Sequence, residues 1–452
     1  MAIRASPGAN AFHDLKPLSL LKISKVSLLF LLVSQLGIEV VMKTILSLAG
    51  LIGLTAAASW PNGPFTTSGS SIVDASGNVV TYAGANWPGA ADVMIPEGLQ
   101  YQSVANIVAK LTEAGVNVIR LTYAIELIDQ IYENGGVDVP LSTAFAEALG
   151  ETNGSTVFQE VLKANPSFSE NITRLEVFDA VAAECAANEI YVHLDNHISQ
   201  GTWCCSTDDG NAWWGDTYFS IANWTRGIAY MADHASSWTA LTSMSLRNEP
   251  REPDDNATLV ADTYNWEYWY TYVKEGAAAI NDANPDPLIF LSGLDFDTYL
   301  TPVVEKTALT PGTETFSFSD FPADKIVLEI HNYANSVSSC SSLESSLLSD
   351  GFEALNTSNS AVNHFPVVLT EWGFAMNDNT TWQLPYTQCL AEWLPAQKAG
   401  WMIWVLAGSY YIRSGTQDYD ETWGLLTHDW SDWRNPTYVQ ESFIPMVDAT
   451  LA

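Results

Sequence analysis

The chain has 452 residues, 47% of them apolar and 12% aromatic, with 17 tryptophans. That is enough to bury a sizeable core and to leave flat aromatic faces over for stacking on sugars. The balance of 18 Lys and Arg against 52 Asp and Glu gives a net charge of −34, which repels phosphate backbones and anionic membranes, excludes nucleic acid as a partner and leaves a neutral polymer unopposed.

Two export-like stretches open the chain. Residues 26–36 (VSLLFLLVSQL) follow Lys22 and Lys25. A better-formed one starts at Met42: Lys43, the apolar run ILSLAGLIGL, then TAAA before Ser59. A charged, an apolar and a small-residue region in that order make a secretory signal. Met42 is therefore the expected start, residues 1–58 an extension plus signal peptide cut near Ala58, and residues 59–452 the one folded domain of a secreted protein. An uncleaved membrane anchor is the alternative, but the run 26–41 is short for a span and contains Glu39. Six N-x-S/T sequons, at Asn153, Asn171, Asn223, Asn256, Asn356 and Asn379, fit export and a glycosylated surface.

From residue 79 on, short β-like runs alternate with helical patterns. The runs are 79–87, 116–123, 190–197, 241–250, 288–295, 325–333, 366–373 and 400–408; QSVANIVAKLTEAG (102–115) and RLEVFDAVAAECAANE (174–189) are two of the amphipathic stretches between them. Eight strands alternating with helices predict an α/β fold, a single-domain (β/α)8 TIM barrel. A doubly wound open sheet would call for a Gly-rich phosphate turn, and no G-x-G-x-x-G follows a strand. The long connections 124–173 and 198–240 leave the C-terminal ends of the second and third runs and are candidate walls of a cleft.

Nearly every run ends in polar or aromatic groups: Asn86 and Trp87, Arg120, Asp195 and His197, Asn248 and Glu249, His331 and Tyr333, Glu371 and Trp372, Trp404. In a barrel these converge on one mouth. Glu249 and Glu371, from the fourth and seventh runs, would face each other there. Two carboxyl groups about 5–5.5 Å apart cleave a glycosidic bond with retention, one as acid/base and one as nucleophile. An Arg120 close to Glu371 would favour its carboxylate, and the like charge of Glu371 would raise the pKa of Glu249.

The motifs IRL (119–121), DNH (195–197), RNEP (247–250), HNY (331–333) and TEWG (370–373), with Trp404, come one per strand. This set resembles glycoside hydrolase family 5, the cellulase-like barrels of clan A, over about 79–430. The resemblance implies Glu249 as acid/base, Glu371 as nucleophile, Asn248 on a sugar 2-hydroxyl, and Arg120, His197, His331 and Tyr333 orienting and tuning the nucleophile. It implies Trp404 as the sugar platform and neither cofactor nor metal. The expected activity is hydrolysis of O-glycosidic bonds in a neutral β-glycan, first an internally cleaved β-1,4-glucan, by a monomer. Mannan, β-1,3- and β-1,6-glycans and small β-glycosides stay open, as does a catalytically idle carbohydrate-binding barrel.

Trp87, Trp203, Trp214 and Trp372 are further candidate platforms, with Trp213, Tyr410 and Trp423 near strand ends as well. The 201–216 loop departs from the family pattern. Its Cys204 and Cys205 could bridge each other, or one could reach Cys340; a Cys340–Cys389 bridge is slightly preferred, and Cys185 is expected buried and free. Asp208 and Asp209 before Gly210 are read as a solvated turn rather than a calcium loop. Strand alternation further predicts an interior Arg247–Glu329 ion pair, and inward-facing His193 and Asp195 bonded to each other or to backbone.

Overall fold

The structure, a computed structural model, describes residues 60–452. The expected signal peptide and the start at Met42 lie outside them. Eight parallel strands form a closed barrel in sequence order: β1 (Ala83–Trp87), β2 (Val118–Ala124), β3 (Tyr191–Ile198), β4 (Leu241–Ser245), β5 (Leu288–Leu291), β6 (Ile326–Asn332), β7 (Val367–Trp372) and β8 (Gly400–Ile403), with β8 pairing back onto β1. Each predicted run supplies one strand, and the (β/α)8 barrel is as expected. Several strands are shorter than the runs, because their polar C-terminal residues leave the sheet to line the mouth.

The flanking helices start where side chains can satisfy their free N–H groups. Ser103 Oγ accepts the Asn106 amide at the head of the helix Val104–Glu113. Thr173 and Glu176 form a capping box on Arg174–Ala187. A three-stranded antiparallel sheet (66–68, 71–73, 79–80) lies at the N-terminal side of the barrel. Phe65 and Ile72 from this segment pack with Tyr82, Val118, Phe290, Val327, Val368 and Met402 in a small core of their own.

Above that apolar plug the barrel interior turns polar. His193 bonds Ser243 Oγ at 2.9 Å and lies 4.4 Å from the Phe290 ring. Glu329 takes hydrogen bonds from Ser245 and, at 3.1 Å, from Thr370. The expected Arg247–Glu329 pair is absent. The pleat of β4 ends at Ser245, which takes the inward place beside Glu329. Arg247 turns out under the β3 loop instead, where it donates to Ser199 Oγ (3.1 Å) and Asn211 O (2.6 Å) and covers the Phe219 ring at 4.0 Å. Both side chains are buried, so the error lies in extending the alternation past the strand end. His193 and Asp195 do not bond each other either: Arg120 and His197 take Asp195.

Cys340–Cys389 is a disulfide that ties the helix Cys340–Asp350 to the helix Pro385–Gln397, and Cys185 is buried and free. Cys204 and Cys205 bridge each other. Among the described residues, no helix is long and apolar enough to cross a membrane.

Candidate active site

At the C-terminal mouth lies a cavity of about 280 Å³. Glu371 leaves β7 just after a register shift between Leu369 and Glu371, a bulge that re-aims the side chain into the mouth. Its oxygens are held from two sides: Arg120 Nη1 donates to Oε1 at 2.6 Å and the Tyr333 hydroxyl to Oε2 at 2.8 Å. Arg120 stands fully buried on β2, directly beside Asn86 in the β1–β2 register. It also donates to Asn86 Oδ1 (2.9 Å) and Asn248 Oδ1 (2.8 Å) and pairs with Asp195 at 3.0 Å. One planar fork thus fixes Glu371 and Asn248 together.

Glu249 sits at φ +48°, a left-handed conformation that costs a non-glycine residue about 1–2 kcal/mol and tends to mark functional sites. Buried charged groups clamp its backbone on both sides: Asp297 Oδ2 accepts its N–H at 2.9 Å, and Arg251 Nη1 donates to its carbonyl at 3.0 Å. Its carboxylate lies 2.9 Å from His331 Nδ1, and a carboxylate oxygen of Glu249, one of Glu371 and a His331 nitrogen all fall within 4.8 Å of one another. Burial raises the Glu249 pKa, although Arg251, His197 and Arg120 pull it down. The expected direction holds, but burial outweighs any neighbouring charge. Burial likewise drops His331 to about 3, so a neutral imidazole bridges the two carboxyl groups. These three could offer atoms to a metal ion, yet Arg120, Tyr333 and the Glu249–His331 bond already occupy them.

His197 does not touch Glu371. It pairs with Asp195 at 2.7 Å and stacks parallel to Trp404 at 5.5 Å, so it is linked to Glu371 through Asp195 and Arg120. Trp404 and Trp203 line the cavity, as does Trp423. Trp87, Trp214 and Trp372 do not: all three are buried core. Trp87 donates to Glu97 O and packs on Trp430, Trp214 sits among Trp213, Trp224 and Tyr272, and Trp372 packs on Trp401. Trp213 and Tyr410 are buried too.

The cavity gains residues that the motifs did not single out. Arg413 ends β9 (Ser409–Arg413), the first strand of a hairpin completed by β10 (Thr416–Asp420), and pairs with Glu421 at 2.6 Å while covering Trp203 at 3.6 Å. Of the two long connections, 198–240 supplies Trp203, Cys204 and Cys205, whereas 124–173 forms three helices and contributes nothing to the lining. The Asp208–Asp209 segment is a turn with Asp208 exposed, as expected, but Asp209 has a further partner: both its oxygens receive the buried Arg251 guanidinium at 2.8 and 2.9 Å.

The matching family model is Cellulase (glycosyl hydrolase family 5), over residues 73–409. The chain belongs to glycoside hydrolase family 5. It is 32% identical over 427 residues to a glycosyl hydrolase 5 family protein of Chamaecyparis obtusa, covering 90% of this chain and 70% of that protein. Two solved structures share the fold. The catalytic domain of the major endoglucanase from Xanthomonas campestris pv. campestris has a TM-score of 0.60 at 18% identity, covering 86% of this chain and 99% of that one. A cellotetraose complex of an endocellulase from Pyrococcus horikoshii has a TM-score of 0.62 at 16% identity, covering 87% and 100%. The protein is thus a glycosidase acting on O-glycosyl bonds.

The buried charges also set how this glycosidase's stability depends on pH. Burial opposes ionisation of Asp195, yet Arg120 and His197 hold its pKa down to about 2, so its contribution is present above 3.8 and lost as pH falls toward 2. Burial pushes Glu329 up to about 7, so its contribution is full below 4.5 and lost as pH rises toward 7. Urea midpoints of Glu329→Gln should therefore fall less than those of wild type as pH rises from 4.5 toward 7. Parallel pH profiles for the two proteins would contradict this assignment.

Proposed function

We propose that the protein is a secreted, retaining, endo-acting β-glycanase with β-1,4-glucan as its first substrate. In this reading Glu371 attacks the anomeric carbon while the Glu249 carboxyl gives its proton to the departing oxygen. The glycosyl ester on Glu371 is then hydrolysed by a water whose proton returns to Glu249. Asn248 meets the 2-hydroxyl, Tyr333 and Arg120 hold Glu371, and Trp404 carries the sugar ring. The observation that carries the reading is that a carboxylate oxygen of Glu249 and one of Glu371 lie within 4.8 Å of each other. An inverting pair stands about 6.5–9.5 Å apart to admit a water, and a retaining pair about 5–5.5 Å.

The endoglucanase names of the fold neighbours and the cellotetraose bound to one of them support the β-1,4-glucan choice. Export is supported by the exposed sequon residues Asn153, Asn171, Asn356 and Asn379, with residues 59–452 as the mature catalytic unit. The small cavity, walled by Arg413, Glu421 and Trp423, favours a second reading, a small β-glycoside as substrate.

The test is reducing-sugar release from soluble β-1,4-, β-1,3- and β-1,6-glucans, mannan and an aryl β-glucoside, by wild type and by Glu249→Gln. Wild type should cleave the β-1,4-glucan, and the variant should lose about 10²–10⁴-fold, the range for a general acid–base group. Undiminished activity of Glu249→Gln would remove the acid/base assignment, and cleavage of the aryl glycoside alone would select the second reading.

A further inference from the structure

The disulfide between Cys204 and Cys205 has no place in the chemistry described above, yet both residues line the same cavity as Glu249. Both Sγ atoms lie within 4.8 Å of a Glu249 carboxylate oxygen and of each other. The Asn248 amide nitrogen is 3.6 Å from Cys204 Sγ and 3.5 Å from Cys205 Sγ, so Asn248, pinned by Arg120 on its oxygen side, closes the back of the sulfur pair.

The loop carrying the sulfurs is fixed to the Glu249 backbone by a single buried side chain. Arg251 donates to Ser206 O at 2.7 Å, to Glu249 O at 3.0 Å and to both oxygens of Asp209. The disulfide and the Glu249 carboxyl are therefore set relative to each other before any ligand arrives. An oxygen that takes a proton from Glu249 must come within about 2.7 Å of it. The ring bearing that oxygen then shares the cavity with the sulfurs, which line it beside Glu249.

We propose that the Cys204–Cys205 disulfide is a substrate-contacting wall of the pocket, receiving the C–H face of the neutral pyranose ring whose glycosidic oxygen meets Glu249. This rests on the proposed role of Glu249. A disulfide has no charge and no N–H or O–H donor, and its polarisable sulfurs suit the apolar face of a sugar rather than a hydroxyl edge or a uronate. It supplements Trp404 and Trp203 with a third uncharged surface, set beside the acid/base.

The first arm of the test is a crystal structure of Glu371→Gln with cellotetraose. Ring carbons within about 4.5 Å of Cys204 Sγ or Cys205 Sγ are expected; a ring bound at Glu249 but clear of both sulfurs overturns the proposal. The second arm compares wild type with Cys204→Ala/Cys205→Ala on the panel glycan that wild type cleaves. KM should rise roughly ten-fold, the scale of one lost apolar contact face, with kcat changed less. A lower Tm with KM unmoved would mean a structural staple only and overturns it. Should that variant fail to fold, Cys340→Ala/Cys389→Ala, which keeps only the pocket disulfide, is reduced and reoxidised under native conditions. A reversible rise in KM supports the wall, and an unchanged KM overturns it. If Glu249→Gln or Glu371→Gln retained full activity, the catalytic reading would fail instead, which is a separate outcome.

Discussion

Glu371→Ala is expected to lose on the order of 10⁴-fold or more in kcat, as removal of a covalent nucleophile does, and to regain turnover when azide is added. Truncation vacates the space between Arg120 Nη1 and the Tyr333 hydroxyl, two donors that now hold the carboxylate at 2.6 and 2.8 Å. A small anion entering there is presented to the same face of the anomeric carbon. It should give a glycosyl azide of inverted configuration, because only one displacement then occurs. Glu249→Ala should behave differently. Its loss should be largest with sugar leaving groups, which need the proton, and smallest with a nitrophenyl group, which does not. Azide should then yield the retained product, through attack on the ester still formed on Glu371. Nuclear magnetic resonance of the products separates the cases. The opposite azide anomers in the two variants would reverse the roles, and inversion by wild type would end the retaining mechanism.

What the sequence could and could not show follows from where the pleat is reliable. Inside a strand, alternate residues share a face. Eight apolar runs with polar ends were therefore enough for the barrel, and Arg120, His331 and Glu371 all point to one mouth. The same rule, applied strictly, would have removed one of the wrong platforms. Asn86 faces inward, so its neighbour Trp87 must face outward, where it packs on Trp430. Trp372 escapes the rule, because the bulge before Glu371 breaks the alternation that would have set it inward with Thr370. Arg247 failed because the alternation was carried two residues beyond Ser245, where β4 ends. Nothing in the residue pattern announces the left-handed turn at Glu249 or the run Asp295, Phe296 and Asp297, all at positive φ, that brings Asp297 under the Glu249 amide. Nor could spacing reveal that Asp209 serves Arg251, a partner 42 positions further on. Contacts between loops depend on the path of the backbone, which local periodicity does not encode.

Arg120→Leu should cost about 3–5 kcal/mol of stability, the range for removing one partner of a buried charge pair, and should abolish measurable hydrolysis. Burial alone would lower the pKa of this guanidinium, but the carboxylates of Asp195 and Glu371 outweigh that and raise it. Its loss leaves Asp195 fully buried with His197 as its remaining partner. Asn86 and Asn248 lose a donor at the same moment, at about 1–3 kcal/mol for each acceptor left unsatisfied, and the costs do not simply add. The stability gap between wild type and variant should therefore narrow on acidification, because wild type loses the Asp195 contribution as pH falls below 3.8 toward 2 and the variant, without Arg120, has less of it to lose. Arg120→Lys separates charge from shape. A single ammonium can keep part of the charge pairing but cannot span Asn86, Glu371, Asn248 and Asp195 at once. Lysine should thus recover stability more than it recovers kcat. Equal recovery of both would mean that only the charge matters and that the fork geometry is dispensable. Urea unfolding at several pH values, run beside kcat and KM for the three proteins, decides between these outcomes.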